Sequence, residues 1–396
     1  MKDEQILSHL LALSDLSHLS NLVCILKKDV EFLKSEFYLT SVSAACLAAV
    51  GAAASEIWHL RTSKPHQSIT IDREQVAIAL SSHIYSKANG KSFGDLWDEF
   101  SGFYLCSDNR WIQLHCNYPH HRDNVLLYTG LERSATRKML EEKLKENTAE
   151  FWERELTKAN CCVGFVRTLC EWRSHEQYQA VKDLNLFDTF KMNSTPAIPF
   201  PIIDEITQPL QGIRVLELSR VLAGPTGCKI LAQHGADVLK ISSPTLPYVP
   251  SLIADVNMGK RSAFLDLDVE QDQGQFTELI KGCDVFFQAY RPNSLAAKGF
   301  GVEQLVALRP GIIYVTLSAY SHEGPWKEQR GFDSLVQSTS GIVSEQSNFL
   351  NPGREGESFY LLPVENSDKI WVPLHTQKQV NRLICQFPLK ITFLGT

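Results

Sequence analysis

The sequence predicts an α/β fold whose second half is an open, mostly parallel sheet. Three observations carry this. Apolar strand-like runs recur near 213–218, 237–242, 262–267, 284–289 and 312–318. Helix-like runs near 225–234, 271–281 and 301–308 separate them. The first strand enters its helix through a tight turn, Leu222-Ala223-Gly224-Pro225-Thr226-Gly227. Strands alternating with helices imply a sheet covered on both faces, in a Rossmann-like arrangement.

The region before it, residues 1–191, reads as helical and then as a small α+β unit. Ile6, Leu7, Leu10 and Leu13, then Leu22 and Ile25, recur at helical spacing and predict one or two amphipathic helices. Residues 41–58 are small and apolar but run into Glu56, His59 and Arg61. The run is shorter than the ~20 apolar residues of a spanning helix, so it predicts a closely packed buried helix. Ser68–Ile71 reads as a short strand and residues 74–84 as a helix. Phe103–Cys106 and Trp111–Leu114 flank Ser107-Asp108-Asn109-Arg110, a hairpin signal. Residues 121–158 are helical in pattern, with Asn147 or Thr148 capping a fresh start. Residues 192–211 hold Pro196, Pro199, Pro201 and Pro209 without periodicity and read as a linker. The sheet domain spans 212–342. Residues 343–396 show no regular period, which fits a compact domain poorly.

A chain of 396 residues suits two domains. The net charge of -6 excludes the basic footprint of a nucleic-acid protein. The ten cysteines form no paired C-x-x-C spacing. The start MKDEQILSHL lacks the pattern of a secretory leader and the end Phe-Leu-Gly-Thr is no peroxisomal address, so reduced thiols and a cytoplasmic setting are expected. No membrane partner is expected.

Candidate site residues collect at one edge of the sheet. The turn at Ser219–Gly227 precedes a helix N-terminus, which attracts anions or is simply a tight turn. Asn257-Met258-Gly259-Lys260-Arg261 sets two cations before a strand, at a phosphate or in a solvated loop. Gln288-Ala289-Tyr290-Arg291 follows a strand's C-terminal end, where ligands of open α/β sheets bind, and Arg291 is a candidate phosphate fork. His115, Cys116, His120 and His121 are dense in HCNYPHH. Strand alternation and the turn at Pro119 should scatter them, and no metal site is expected. Trp152, Trp172, His175 and Tyr178 read as packing. There is no G-x-S-x-G elbow. Asp333, in Arg330-Gly331-Phe332-Asp333, is a candidate acid, although an isolated Asp more often caps or turns.

Five phrases in this region carry a resemblance: GIRVLELSRVLAGPTGCKILAQHGADVLKI, NMGKRSAFLDL, CDVFFQAYRP, RPGIIYVTLSAYSHEGPW and GFDSLVQSTSGI. In order and approximate spacing they resemble the family III CoA transferases of the CaiB/BaiF group, which includes formyl-CoA transferases and α-methylacyl-CoA racemases. The resemblance implies a coenzyme A site lined by Val221, Leu222, Ala223 and Gly224. It places Lys260, Arg261 and Arg291, with Asn257, Gln288 and Tyr290, near the CoA nucleotide and phosphates. CoA or acyl-CoA is then a substrate, with no tightly bound cofactor, and a carboxylic acid is the second substrate. YLTSVSAACLAAVGAAASEIWHLRTSKPHQSITID resembles the family segment after its catalytic aspartate, so the chain reads as an incomplete internal duplication.

Intact members of the group attack acyl-CoA with an aspartate, through an anhydride and an aspartyl-CoA thioester. By resemblance that position falls on Tyr38 in the first copy, and in the second copy it falls beyond residue 342. The racemases use a histidine where this chain has Phe332, which cannot move a proton. The expectation is a CoA transferase. Its alternatives are a CoA-binding pseudoenzyme and a truncated product, the pattern lost after Ile342 reading as an alternative chain end. Family dimers are interlocked, so a homodimer or a pseudo-dimer within one chain is expected.

Overall fold

The computed structural model describes residues 2–26, 32–93, 97–184, 199, 201–352 and 359–361. Helix α1 (Lys2–Leu13) packs on the long helix α2 (Leu39–Thr62). Ala44, Ala45, Ala48 and Ala52 are fully buried there, because small side chains let the helices approach closely. By length and composition α2 could cross a membrane, but its alanine face is core. Leu22 and Ile25 depart from the expected helix. A 3-10 turn, η1 (Ser17–Leu22), leads into strand β1 (Val23–Leu26), which pairs in parallel with β2 (Ile69–Asp72). Val23 and Ile25 alternate with exposed Cys24 and Leu26, so a distant partner strand overrides the local period. Helices α3 (Arg73–Leu80) and α4 (Ser82–Tyr85) follow, then the short ladder of β3 (Lys87–Ala88) and β4 (Lys91–Ser92).

A second core forms on an antiparallel sheet of β5 (Gly102–Leu105), β6 (Trp111–Leu114) and β7 (Val163–Phe165), with β6 central. Helices α5 (Pro119–Thr129), α6 (Arg137–Leu144) and α7 (Ala149–Lys158) cover it. The Thr148 hydroxyl caps α7 by accepting from the Phe151 N–H at 3.3 Å. Two short helices, α8 (Leu169–Ser174) and α9 (Glu176–Val181), close this half. Of the expected linker, residues 192–198 and 200 lie outside the described residues, and 201–211 form no helix or strand.

The second half alternates β8 (Arg214–Leu218), α10 (Ala223–Gln233), β9 (Asp237–Ser242), α11 (Pro250–Val256), β10 (Arg261–Phe264), α12 (Glu270–Gly282), β11 (Val285–Gln288), α13 (Val302–Leu308) and β12 (Ile313–Thr316). All five strands are parallel, in the order β10-β9-β8-β11-β12. The chain therefore winds one way from β8 to β10 and the other from β11 to β12. Leu216, Leu218 and Phe286 face α12 and α13, while Val215 and Phe287 face α10, as a sheet buried on both sides requires.

The patternless tail expected from 343 is corrected over its first residues. Helices α14 (Asp333–Thr339) and α15 (Ile342–Leu350) run on past residue 342. Ile342, Val343, Gln346 and Ser347 make one buried helical face there, before Pro352. Residues 353–358 and 362–396 lie outside the described residues.

These two helices join the halves. The Arg167 N–H donates to the Ser338 carbonyl at 3.0 Å, and the Ser338 hydroxyl donates to Gln113 at 2.7 Å. Gln177 Nε2 donates to the Tyr320 and Glu323 carbonyls at 2.7 and 2.9 Å. Ser35 Oγ donates to Gln346 Oε1 at 2.9 Å, and Ile342 enters the α1–α2 core. The seam therefore runs from β6 and β7 to α2.

Candidate functional site

The strand order reverses between β8 and β11, and the crevice of such a sheet opens at their C-terminal ends. Ser219–Gly224 and Ala289–Arg291 flank it. Gly224 sits so close to both strands that a Cβ would lie 2.5 Å from the Ser219 Cβ and 3.1 Å from the Ala289 Cβ. Val221 has φ of +66°, a region that β-branched residues avoid. Leu222, Ala223 and Gly224 are buried behind it. Such strain at a sheet's switch point makes Val221 a candidate site position.

Several expected phosphate ligands are engaged elsewhere. Lys260 has its side chain wholly enclosed, and its ammonium donates to Glu217 Oε2 at 2.6 Å and to the Pro225 carbonyl at 2.7 Å. Asn257 Oδ1 accepts from buried Lys240 at 3.1 Å. Burial lowers the Lys240 pKa. Ser219 Oγ completes this network on Glu217 at 2.7 Å. Arg261 pairs with Asp237 at the exposed edge of the sheet. Buried Gln288 accepts from the Tyr290 N–H at 2.7 Å, which shapes the turn after β11. Tyr290 is half-buried, and burial raises its pKa. Arg291 is exposed and donates to the Glu328 carbonyl at 3.2 Å.

Arg220, Arg291 and Arg330 are cations on the seam near the sheet's crevice. Arg220 lies 5.0 Å over the Tyr118 ring and donates to the Pro247 carbonyl at 2.6 Å. Desolvation and then the like charge of Arg330 lower the Arg291 pKa. Desolvation, Arg330 and Arg220 together lower that of His120. Arg330 and Arg220 are half-buried.

The histidines of HCNYPHH correct the expectation of scatter. Helix α5 begins at Pro119, so His120 and His121 occupy its first turn and fold back over the end of β6. His121 lies 6.3 Å from His115 and 4.1 Å from His120 between ring centroids. Phe332, from the other half, stacks on His115 at 3.8 Å and meets His121 edge-on at 5.6 Å. Burial pushes His115 down to about 4. Burial and then the neighbouring His120, His115, Arg330 and Arg220 push His121 to about 3. Both imidazoles are therefore neutral at pH 7.

Polar atoms in this neighbourhood lack partners within the protein. They are His121 Nδ1, Arg330 Nε, Ser334 Oγ and, in the first turn of α10, Thr226 Oγ1. A buried orphan costs about 1–3 kcal/mol, so such a cluster fits a place that a polar ligand completes. Asp333, the first residue of α14, is buried beside them, and its Oδ2 accepts from Gln337 Nε2 at 2.7 Å. Tyr38 stands at the N-cap of α2, half-exposed, next to the Ser35–Gln346 contact region. Trp172, His175 and Tyr178 pack with Trp326, and Trp152 is buried in the second core. Arg330, His120 and His121 escaped the sequence reading as site residues. The signal for Arg330 was its place two residues before Phe332.

Three guanidinium groups and neutral imidazoles thus lie near one another at the seam, with the buried carboxylate of Asp333 next in sequence to Phe332.

Residues 210–358 match the family model for CoA-transferase family III. The chain is 37% identical over 204 residues to acetyl-coenzyme A transferase nodX of Hypoxylon pulicicidum, covering 50% of this chain and 31% of that protein. It is 26% identical over 338 residues to an acyl-CoA transferase of Gibberella moniliformis, covering 76% of this chain and 59% of that protein. An alignment of that length reaches both halves of the present chain. A crystal structure of a CaiB/BaiF family protein from Brucella suis aligns over 39% of this chain and 44% of that one, with 31% identity and a TM-score of 0.35. The chain thus spans about a third to three-fifths of the two curated relatives named.

Proposed function

We propose that this chain binds acyl-CoA at the seam and moves CoA to a carboxylic acid, a reading supported by the match of residues 210–358 to the CoA-transferase family III model. The observation that carries the proposal is the cation-rich, partner-poor seam at the switch point of the sheet. Arg220, Arg291 and Arg330 take the phosphates, and Val221–Gly224 line the cofactor's path. Asn257, Lys260 and Gln288 act from behind, by fixing the turns that carry those groups. Arg261 holds the sheet edge.

Asp333 supplies the carboxylate. It attacks the thioester carbonyl and expels CoA thiolate, leaving a mixed anhydride. The thiolate attacks the aspartyl carbonyl, releasing the first acid and leaving an aspartyl-CoA thioester. The acceptor carboxylate attacks that thioester and expels the thiolate again. The thiolate then takes the acceptor's acyl carbon, which frees Asp333. The described cysteines are free thiols, in keeping with a reducing, cytoplasmic setting. The seam within one chain is in keeping with a pseudo-dimer.

Tyr38 favours a second reading, CoA binding without transfer, since a phenol stands where the resemblance puts the aspartate and a phenol forms no anhydride. Calorimetry with CoA and a hydroxylamine trap with acyl-CoA separate the readings. Under the proposal Arg220→Ala and Arg291→Ala each weaken CoA binding about 10- to 100-fold, as expected for a lost charge-assisted contact. Hydroxylamine traps an adduct that Asp333→Asn abolishes. Binding without any adduct selects the second reading, and a folded chain that ignores CoA removes both.

A further inference from the structure

At the far end of α2, away from the seam, three side chains from three segments converge. His18 comes from η1, Glu56 from α2, and His66 from the loop before β2. Glu56 Oε2 lies 2.7 Å from His66 Nε2 and 3.3 Å from His18 Nε2, and one ligand atom from each residue lies within 4.8 Å of the others. The loop that carries His66 is pinned. Ser55 Oγ accepts from the Gln67 N–H at 2.7 Å and donates to the Gln67 carbonyl at 3.2 Å. His59, one turn on from Glu56, stacks on His66 at 4.2 Å, and its Nδ1 bonds the Lys64 carbonyl at 2.7 Å. Glu56 and His66 are half-buried while His18 is exposed, so the cluster is held on one side and open to water on the other.

We propose that His18, Glu56 and His66 bind one zinc ion, with water as the fourth ligand. Two imidazoles and one carboxylate are a donor set of four-coordinate zinc with an open position. The hard cations magnesium and calcium prefer all-oxygen sites, which this is not. Bonds of ~2.0–2.1 Å place tetrahedral ligand atoms roughly 3.3–3.4 Å apart. The spacings to Glu56, 2.7 and 3.3 Å, lie near that value, and no pair in the trio exceeds 4.8 Å, so the side chains must rotate to close on an ion. The ion would latch η1 and the His66 loop to α2, and so tie together the segments flanking the β1–β2 pair. None of these residues lies in the seam, so the inference is independent of the proposed function.

The test uses the full chain, stripped with a chelator and titrated with cobalt(II), then with zinc. The expected result is one cobalt per chain with the visible bands of a tetrahedral nitrogen–oxygen site, displaced by zinc. Zinc should also raise the thermal midpoint. His66→Gln and, on the exposed side where the fold is least at risk, His18→Gln should each abolish the bands with unchanged circular dichroism. Absence of tight cobalt or zinc binding in the wild type overturns the proposal and leaves a hydrogen-bonded His–Glu–His staple. Thiolate charge-transfer bands, or equal binding by the folded His18→Gln chain, overturn it as well.

Discussion

At the scale of single residues, Lys260 shows how a cation's partner decides its role. In the sequence Lys260 and Arg261 are adjacent and equivalent in charge. In the fold one is enclosed against Glu217 and the other lies exposed beside Asp237. Glu217 is itself wholly buried, and its other cation, Lys240, lies 4.0 Å away. Lys260→Met therefore strands much of a buried charge and should cost about 3–5 kcal/mol. Urea unfolding measures this. Arg261→Met, at a surface pair, should move the midpoint by under about 1 kcal/mol. Equal costs for the two would show that Lys260 is not the buried partner described. Neither change removes a guanidinium from the seam. The sequence showed two adjacent cations before a strand, but it did not separate them, because Glu217, the partner that encloses Lys260, lies 43 positions earlier.

At the scale of elements, two glycines with the same local signal do different work. Gly341 links α14 to α15 with φ of +86°, and a Cβ there would lie 2.6 Å from the Leu169 backbone nitrogen. Gly341→Ala should lower stability by at least about 1–3 kcal/mol, through a strained backbone and a contact that cannot yield. Gly274 sits inside α12 with open space around it. Gly274→Ala should raise stability by about 0.4–1 kcal/mol, by restricting the unfolded chain. Thermal melts of the two variants should shift in opposite directions. What was legible at this scale followed from how local the cause was. β8, β9 and β11 are apolar runs buried on both faces, so their existence could be read directly. β1 could not be, because its partner β2 lies more than 40 residues on. The helical face of α15 is spent on contacts with the first half, at Ser35 and in the α1–α2 core. The gathering of His115, His120 and His121 needed the fold-back of α5, which Pro119 alone did not announce. The arginines were visible as charges. Their convergence was not, since Arg330 belongs to a loop positioned by the seam rather than by the sheet.

At the scale of the whole molecule, the seam makes acid a threat to the union of the halves. His115 is held near pKa 4 in the folded chain, against an ordinary value near 6.5. A depressed histidine binds fewer protons folded than unfolded, so stability is complete above about pH 6.5 and falls as pH drops toward about 4. His115 alone contributes roughly 3 kcal/mol to that slope, and His121, lowered further, adds to it. The melting temperature should climb between pH 4.5 and 6.5, and His115→Asn should flatten the climb. An unchanged slope in the variant would show that another group titrates there. The same seam also sets a schedule. Ser35 and its partner Gln346 are 311 positions apart, and Ile342 completes the core of α1 and α2. At ~5–20 residues per second, a ribosome delivers the second member roughly 15–60 s after the first. For that interval the opening helices lack Ile342 and Gln346, so the core of the first half is completed only when most of the chain has been made.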